Sequence, residues 1–292
     1  MAAKRRRGAG CAALLVLVLA AGLAVAYGPG FLNQYGDRLF SQSRCTVSLG
    51  DDTHTLTAEQ SNNAALIAAR SAARDLPARA ATIALATAIQ ESGLRNINYG
   101  DRDSLGLFQQ RPSQGWGTVT DVMDPYHSSN EFYRYLVTVD GWRDMPVTEA
   151  AQRVQRSAFP EAYGNHEPES RLWASALRGH SGQEAVKCSL GRAQPGSTQT
   201  LADRIHADFG EDGYRIEVLE RRDGVAYVAI SPTSGSDTDR DALAAWAVAT
   251  AATTSVESVT IDGAGWSREA YDYALDEHGD TDSVTVGVRT DG

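Results

Sequence analysis

Lysine is nearly absent, since only Lys4 and Lys187 among the 27 basic residues are lysines. The formal net charge of −10 argues against a nucleic-acid partner, because phosphate recognition needs an excess of clustered Lys/Arg. Cysteine is scarce as well. The three cysteines come with no CxxC pair and no histidine cluster, which argues against a structural zinc site. His127, His166 and His180 show neither metal spacing nor a paired nucleophile, so they read as surface residues. No metal and no cofactor is expected. No internal repeat appears. The 42% of apolar residues argues against wholesale disorder. At 292 residues the chain has room for more than one core.

The first segment bears on the compartment. Lys4-Arg5-Arg6-Arg7 is a basic patch, and Cys11 to Ala26 then runs without a charge. This pattern predicts a signal or anchor helix over 1–32. Ala24-Val25-Ala26 offers a cleavage site, while the apolar stretch from Gly8 to Leu32 approaches the ~20 residues that span a bilayer. A retained membrane anchor is preferred over cleavage and secretion, with the rest of the chain outside. Export brings an oxidising compartment, where the two exported cysteines, Cys45 and Cys188, are expected to form one disulfide.

The remainder divides by pattern. The segment from Cys45 to Cys188 reads as largely helical. Thr57-Ala58-Glu59-Gln60 has the form of a capping box opening one helix, and Pro77 ends it. A second helix runs from Arg79 to Ser92 and stops at Gly93. Further helices are predicted near 129–139, 147–157 and 168–178, with 96–125 as loop or hairpin. The stretch 189–200, SLGRAQPGSTQT, reads as a linker. A small α+β domain is then predicted over 201–292: a short helix, two strands around Arg222-Asp223-Gly224, an Ala-rich helix over 241–253, a strand, a helix over Arg268–Leu275 and a last strand. From Thr198 onward there are 19 acidic residues against seven arginines, so this part carries the acidic bias. The expected fold class is thus multidomain, with a mainly α domain followed by a small α+β domain and preceded by a membrane or signal helix.

The second helix carries the chemistry. Thr82 to Ile89 is apolar nearly all round, which predicts burial at the domain centre. Glu91 stands at its C-terminal end, on one face with Ala84 and Ala88. Apolar neighbours and the negative end of the helix dipole both disfavour its ionised form. Both raise its pKa, as suits a general acid. A glutamate reaching solvent, or pairing with Arg95, is the plainer alternative.

The run Ala88-Ile89-Gln90-Glu91-Ser92-Gly93-Leu94, followed by Ser104-Leu105-Gly106-Leu107-Phe108-Gln109, resembles the soluble lytic transglycosylases of the lysozyme-like superfamily. Phe108 stands where that family usually has Met, and Ala162-Tyr163-Gly164-Asn165 is a looser match to its Ala-Tyr-Asn-Gly segment. Gly106 to Gly117, with Asp124-Pro125 and Phe132-Tyr133, looks like an exported actinobacterial group. The resemblance covers 45–188 and implies a lysozyme-like domain there. It implies peptidoglycan as partner and cleavage between N-acetylmuramic acid and N-acetylglucosamine. Glu91 would act as acid and then assist attack by the muramic C6 hydroxyl. Ser92 would orient the acid, Gln109 would contact the sugar, and Tyr163 would support Glu91.

Alternatives stay open at this point. Asp101 or Asp103 would position a water if the enzyme were a hydrolase, although both also suit a turn. Trp116 reads as a wall of the cleft, or as core. The domain would otherwise be a non-catalytic glycan-binding scaffold. The acidic C-terminal part would dock a protein partner, or simply present a solvated surface.

Overall fold

The computed structural model describes residues 43–157, 160–270, 273–275 and 282–291. The anchor helix expected over 1–32 lies outside the described residues. Among those described, no helix is long and apolar enough to cross a membrane.

The chain opens with a β-hairpin, β1 (Arg44–Leu49) and β2 (Asp52–Thr57), around Gly50 in the left-handed region. Two helices follow, α1 (Ala58–Ala72) and α2 (Ala78–Ser92), then the short α3 (Val119–Met123), α4 (Pro125–Leu136), α5 (Val147–Gln155), a 3-10 segment (Pro160–His166) and α6 (Glu167–Leu177). Strand β3 (Val186–Ser189) returns to pair with β1, giving a three-stranded antiparallel sheet in the order β2-β1-β3. Cys45 faces Cys188 in that register, and the two form a disulfide. Thr57 caps α1, and its box with Gln60 is complete.

The second half begins with α7 (Thr198–Phe209) and the hairpin β4 (Tyr214–Arg222) and β5 (Val225–Pro232). After it come α8 (Asp237–Thr254), β6 (Val256–Ile261), β7 (Ala264–Ser267), β8 (Tyr273–Leu275) and β9 (Val284–Arg289). These strands form a six-stranded antiparallel sheet in the order β4-β5-β9-β6-β7-β8. Asp223 and Gly224 both take positive φ, as the hairpin turn requires. The helix expected over Arg268–Leu275 is not found among the described residues: Tyr273–Leu275 forms β8, which pairs with β7 and sets Trp266 opposite Tyr273.

The expected fold class is corrected. A mainly α domain followed by a separate α+β domain gives way to one compact body, Ser43–Gly292, with eight α-helices and two antiparallel sheets among the described residues. The cause lies in α8. Ala242 to Ala251 are buried all round, so this helix needs cover on every side. It packs on β6 and β9 of the large sheet, and also on α1, α6 and β3 from the first half. The stretch read as a linker takes part in the same packing. Leu190 and Ala193 are buried, and Gly196 bridges to Thr290 beside β9.

Polar contacts tie the halves together. Asp208, fully buried on α7, accepts hydrogen bonds from Tyr126 Oη at 2.7 Å, Trp246 Nε1 at 2.6 Å and Arg204 Nε at 2.9 Å. Trp266 Nε1 donates to the Cys188 carbonyl at 3.2 Å, and Ser61 Oγ donates to the Ala249 carbonyl at 3.0 Å. Gly179 after α6 has φ +71°, and a Cβ there would stand 1.8 Å from the Thr238 carbonyl of α8. Only glycine allows that approach.

Candidate active site around Glu91

Helix α2 is buried over Ala80–Ala88 and delivers Glu91 at its last turn. The end of the helix is held by its neighbours. Gly93 takes the left-handed conformation, and its carbonyl accepts from Gln60 Nε2 at 2.8 Å. The Leu94 carbonyl accepts from Asn63 Nδ2 at 2.9 Å. Both donors lie on α1, so carbonyls just past the end of α2 are satisfied by side chains of the neighbouring helix.

Ser92 Oγ donates to the Ala88 carbonyl at 3.1 Å and to the Leu107 carbonyl at 2.7 Å. It therefore staples the helix to the Gly106–Gln109 loop and makes no direct bond to the acid. That loop is tight. A Cβ on Gly106 would lie 2.2 Å from the Val122 carbonyl, and Gly106 has φ +79°. Phe108 is fully buried and stacks on Phe132, with ring centroids 4.8 Å apart.

Glu91 is half-buried, and two donors converge on its Oε1. Tyr163 Oη donates at 2.5 Å and Gln155 Nε2 at 3.4 Å. Burial pushes the Glu91 carboxyl above the ordinary glutamate range, while the Tyr163 and Gln155 hydrogen bonds pull it back. Burial and the neighbouring Glu91 charge also push the Tyr163 phenol up, so Tyr163 remains a donor at neutral pH. With Oε1 accepting two hydrogen bonds, the proton of a neutral Glu91 belongs on Oε2, which is then the oxygen suited to giving it away.

The other residues singled out in the sequence take varied places. Gln109 sits at φ 48°, and its Nε2 donates to the Tyr99 carbonyl at 3.3 Å and the Gly106 carbonyl at 3.2 Å, so it holds its own loop. Trp116 is half-buried and tilts against Tyr135 with centroids 4.5 Å apart, while its carbonyl accepts from His127 Nε2 at 3.1 Å. Asp101 is exposed, and its carboxylate lies 3.9 Å from Arg102 Nε. Asp103 accepts from the Ser113 backbone N–H at 2.8 Å and from Arg111 Nε at 2.8 Å. Those bonds, Ser113 first, hold its carboxyl well below the usual carboxylate range. Asp103 is thus a clasp for the 103–113 loop.

Gln155 was not singled out from the sequence, and nothing in its local pattern marks it. His166 adds a further link: it lies 2.8 Å from Glu169 Oε1 and 3.1 Å from Gln90 Oε1, beside Glu91. Glu169 and Gly164, the neighbour of Tyr163, line an open cleft of about 800 Å³ together with His54, Glu167, Arg171 and Leu172. No group of three or more metal-ligating side chains occurs among the described residues.

This geometry suits a single proton donor and acceptor. The carboxyl is pushed toward its neutral form by burial, oriented by a phenol and mounted on a buried helix. No protein-family model and no curated protein matches the chain.

Proposed function

We propose that this protein cleaves peptidoglycan glycan strands between N-acetylmuramic acid and N-acetylglucosamine, with Glu91 as the one acid and base. The observation that carries the reading is the half-buried Glu91, pKa raised by burial, with Tyr163 Oη 2.5 Å from its Oε1. The resemblance of Glu91-Ser92 and Gly106–Gln109 to lytic transglycosylase segments supplies the substrate class.

The steps follow from one carboxyl group. Neutral Glu91 gives its proton to the glycosidic oxygen as the bond to the muramic C1 breaks, leaving an oxocarbenium-like sugar. The Glu91 carboxylate then takes the proton of the muramic C6 hydroxyl, whose oxygen closes on C1. The product is a 1,6-anhydro sugar, no water is consumed, and Glu91 ends protonated as it began. Hydrolysis with a second carboxylate fits less well, because Asp103 is committed to Arg111 and Ser113 and Asp101 is exposed.

The Cys45–Cys188 disulfide supports an extracytoplasmic location, where the substrate is found. Anchoring by the N-terminal segment belongs to the same reading. The test is muropeptide release from purified sacculi by the full chain and by Glu91→Gln. Wild type should release products with anhydro ends by mass spectrometry, and the variant should release none. Equal release by both proteins would sink the assignment.

A further inference from the structure

The Gln155 amide is held more tightly than a helix-end glutamine requires. It ends α5, and the next residue, Arg156, turns the chain away at φ 54°. Its Nε2 donates to the Phe108 carbonyl at 2.7 Å and to Glu91 Oε1 at 3.4 Å. Its own Oε1 is buried and finds no hydrogen-bond partner among the described residues. The amide cannot turn over, since that would set Oε1 against two acceptor oxygens. A buried acceptor without a partner is costly, and an apolar side chain of the same shape would avoid that cost. A polar group kept under those terms calls for a reason.

The reason lies in its two acceptors. The Phe108 carbonyl belongs to the loop that Ser92 staples to α2, and the Phe108 ring is fixed on Phe132. Glu91 is the end of α2 itself. We infer that Gln155 is a positioning residue, which ties the Glu91 carboxylate to the Phe108 carbonyl and steadies it in the half-reaction where it must accept a proton. This inference rests on the proposed role of Glu91. The N–H to a charged oxygen is about twice as strong as to a neutral one, so the 3.4 Å contact should tighten when Glu91 ionises. Among the described residues, the titratable side chain that hydrogen-bonds Glu91 is Tyr163.

The experiment uses the full chain with its disulfide intact and the variant Gln155→Met, with Gln155→Leu as a second variant should Met fold poorly. Two readouts are taken. On sacculi, the variant should lose roughly tenfold in kcat, short of the roughly hundredfold that a 1 Å misplacement of a reacting group can cost. KM should stay unchanged, and the alkaline limb should move to higher pH. By carbon NMR of the Glu91 side-chain carboxyl, which does not depend on activity, the variant should titrate at higher pH than wild type. An unmoved carboxyl titration in a folded variant overturns the inference. A wild type inert on sacculi overturns the cleavage reading instead, and the carboxyl titration then decides the coupling alone.

Discussion

Tyr163 Oη donates to Glu91 Oε1 at 2.5 Å across 72 residues of sequence. The bond opposes the burial that raises the Glu91 pKa, since it stabilises the ionised carboxylate. It also occupies Oε1, which leaves Oε2 as the oxygen for a transferable proton. The two effects make distinct predictions.

Tyr163→Phe removes the donor and little volume. Glu91 should then titrate at higher pH, because a hydrogen bond that favoured its charged form is gone. The alkaline limb of the activity profile should move up, and kcat should fall about tenfold to hundredfold, less than the roughly 10²–10⁴-fold of a full general acid–base contribution because Tyr163 acts through Glu91. An unshifted limb in the pH–rate profile would show that the bond does not reach the chemistry.

The raised Glu91 pKa also bears on stability. A folded state that holds this proton more tightly than the unfolded chain draws stability from it below the unfolded pKa and loses that stability as pH rises through the folded value. Glutamine carries no such penalty. Glu91→Gln should therefore leave Tm near that of wild type at pH 4 and raise it at pH 8. Thermal melts at both pH values check this, and a Tm difference independent of pH would contradict it.

Asp208 is predicted to be a structural hub. It is fully buried and accepts from Tyr126, Trp246 and Arg204 on three helices. Asp208→Ala strands the Arg204 charge and the two donors. The expected loss is about 3–5 kcal/mol, measured by denaturant unfolding. A loss under about 1 kcal/mol would mean that water replaces the carboxylate.

The fragment 43–196 should not fold by itself. It lacks α8, which covers α1, α6 and β3 with the buried face Ala242–Ala251. A broad, uncooperative melt is expected of the fragment, against a sharp one for the chain from 43 onward. A cooperative melt of the fragment would restore the two-domain arrangement.

Some features were legible locally. The Thr57–Gln60 box, the stop at Gly93 and the hairpin at Asp223-Gly224 depend on residues within four positions of each other, so spacing alone predicts them. The β1–β2 hairpin was missed although its signal was present. Thr46-Val47 and Thr53-His54-Thr55 flank the Gly50 turn with β-branched residues. Helical spacing over Arg268–Leu275 loses to the burial of Trp266, which lies beside β6 and draws Tyr273–Leu275 into the sheet as its next strand.

What the sequence determined by itself was an apolar helix ending in a glutamate, with a glycine to stop it and a pair of cysteines to pair. Those follow from periodicity and local backbone preference, which act over a few residues. What only the tertiary structure decided was the company Glu91 keeps and the unity of the body around it. Gln155 reaches Glu91 across 64 residues, and the apolar α8 finds cover in the first half of the chain. Such contacts arise when buried surfaces seek partners wherever the chain can bring them, and no local pattern encodes which surface will be chosen.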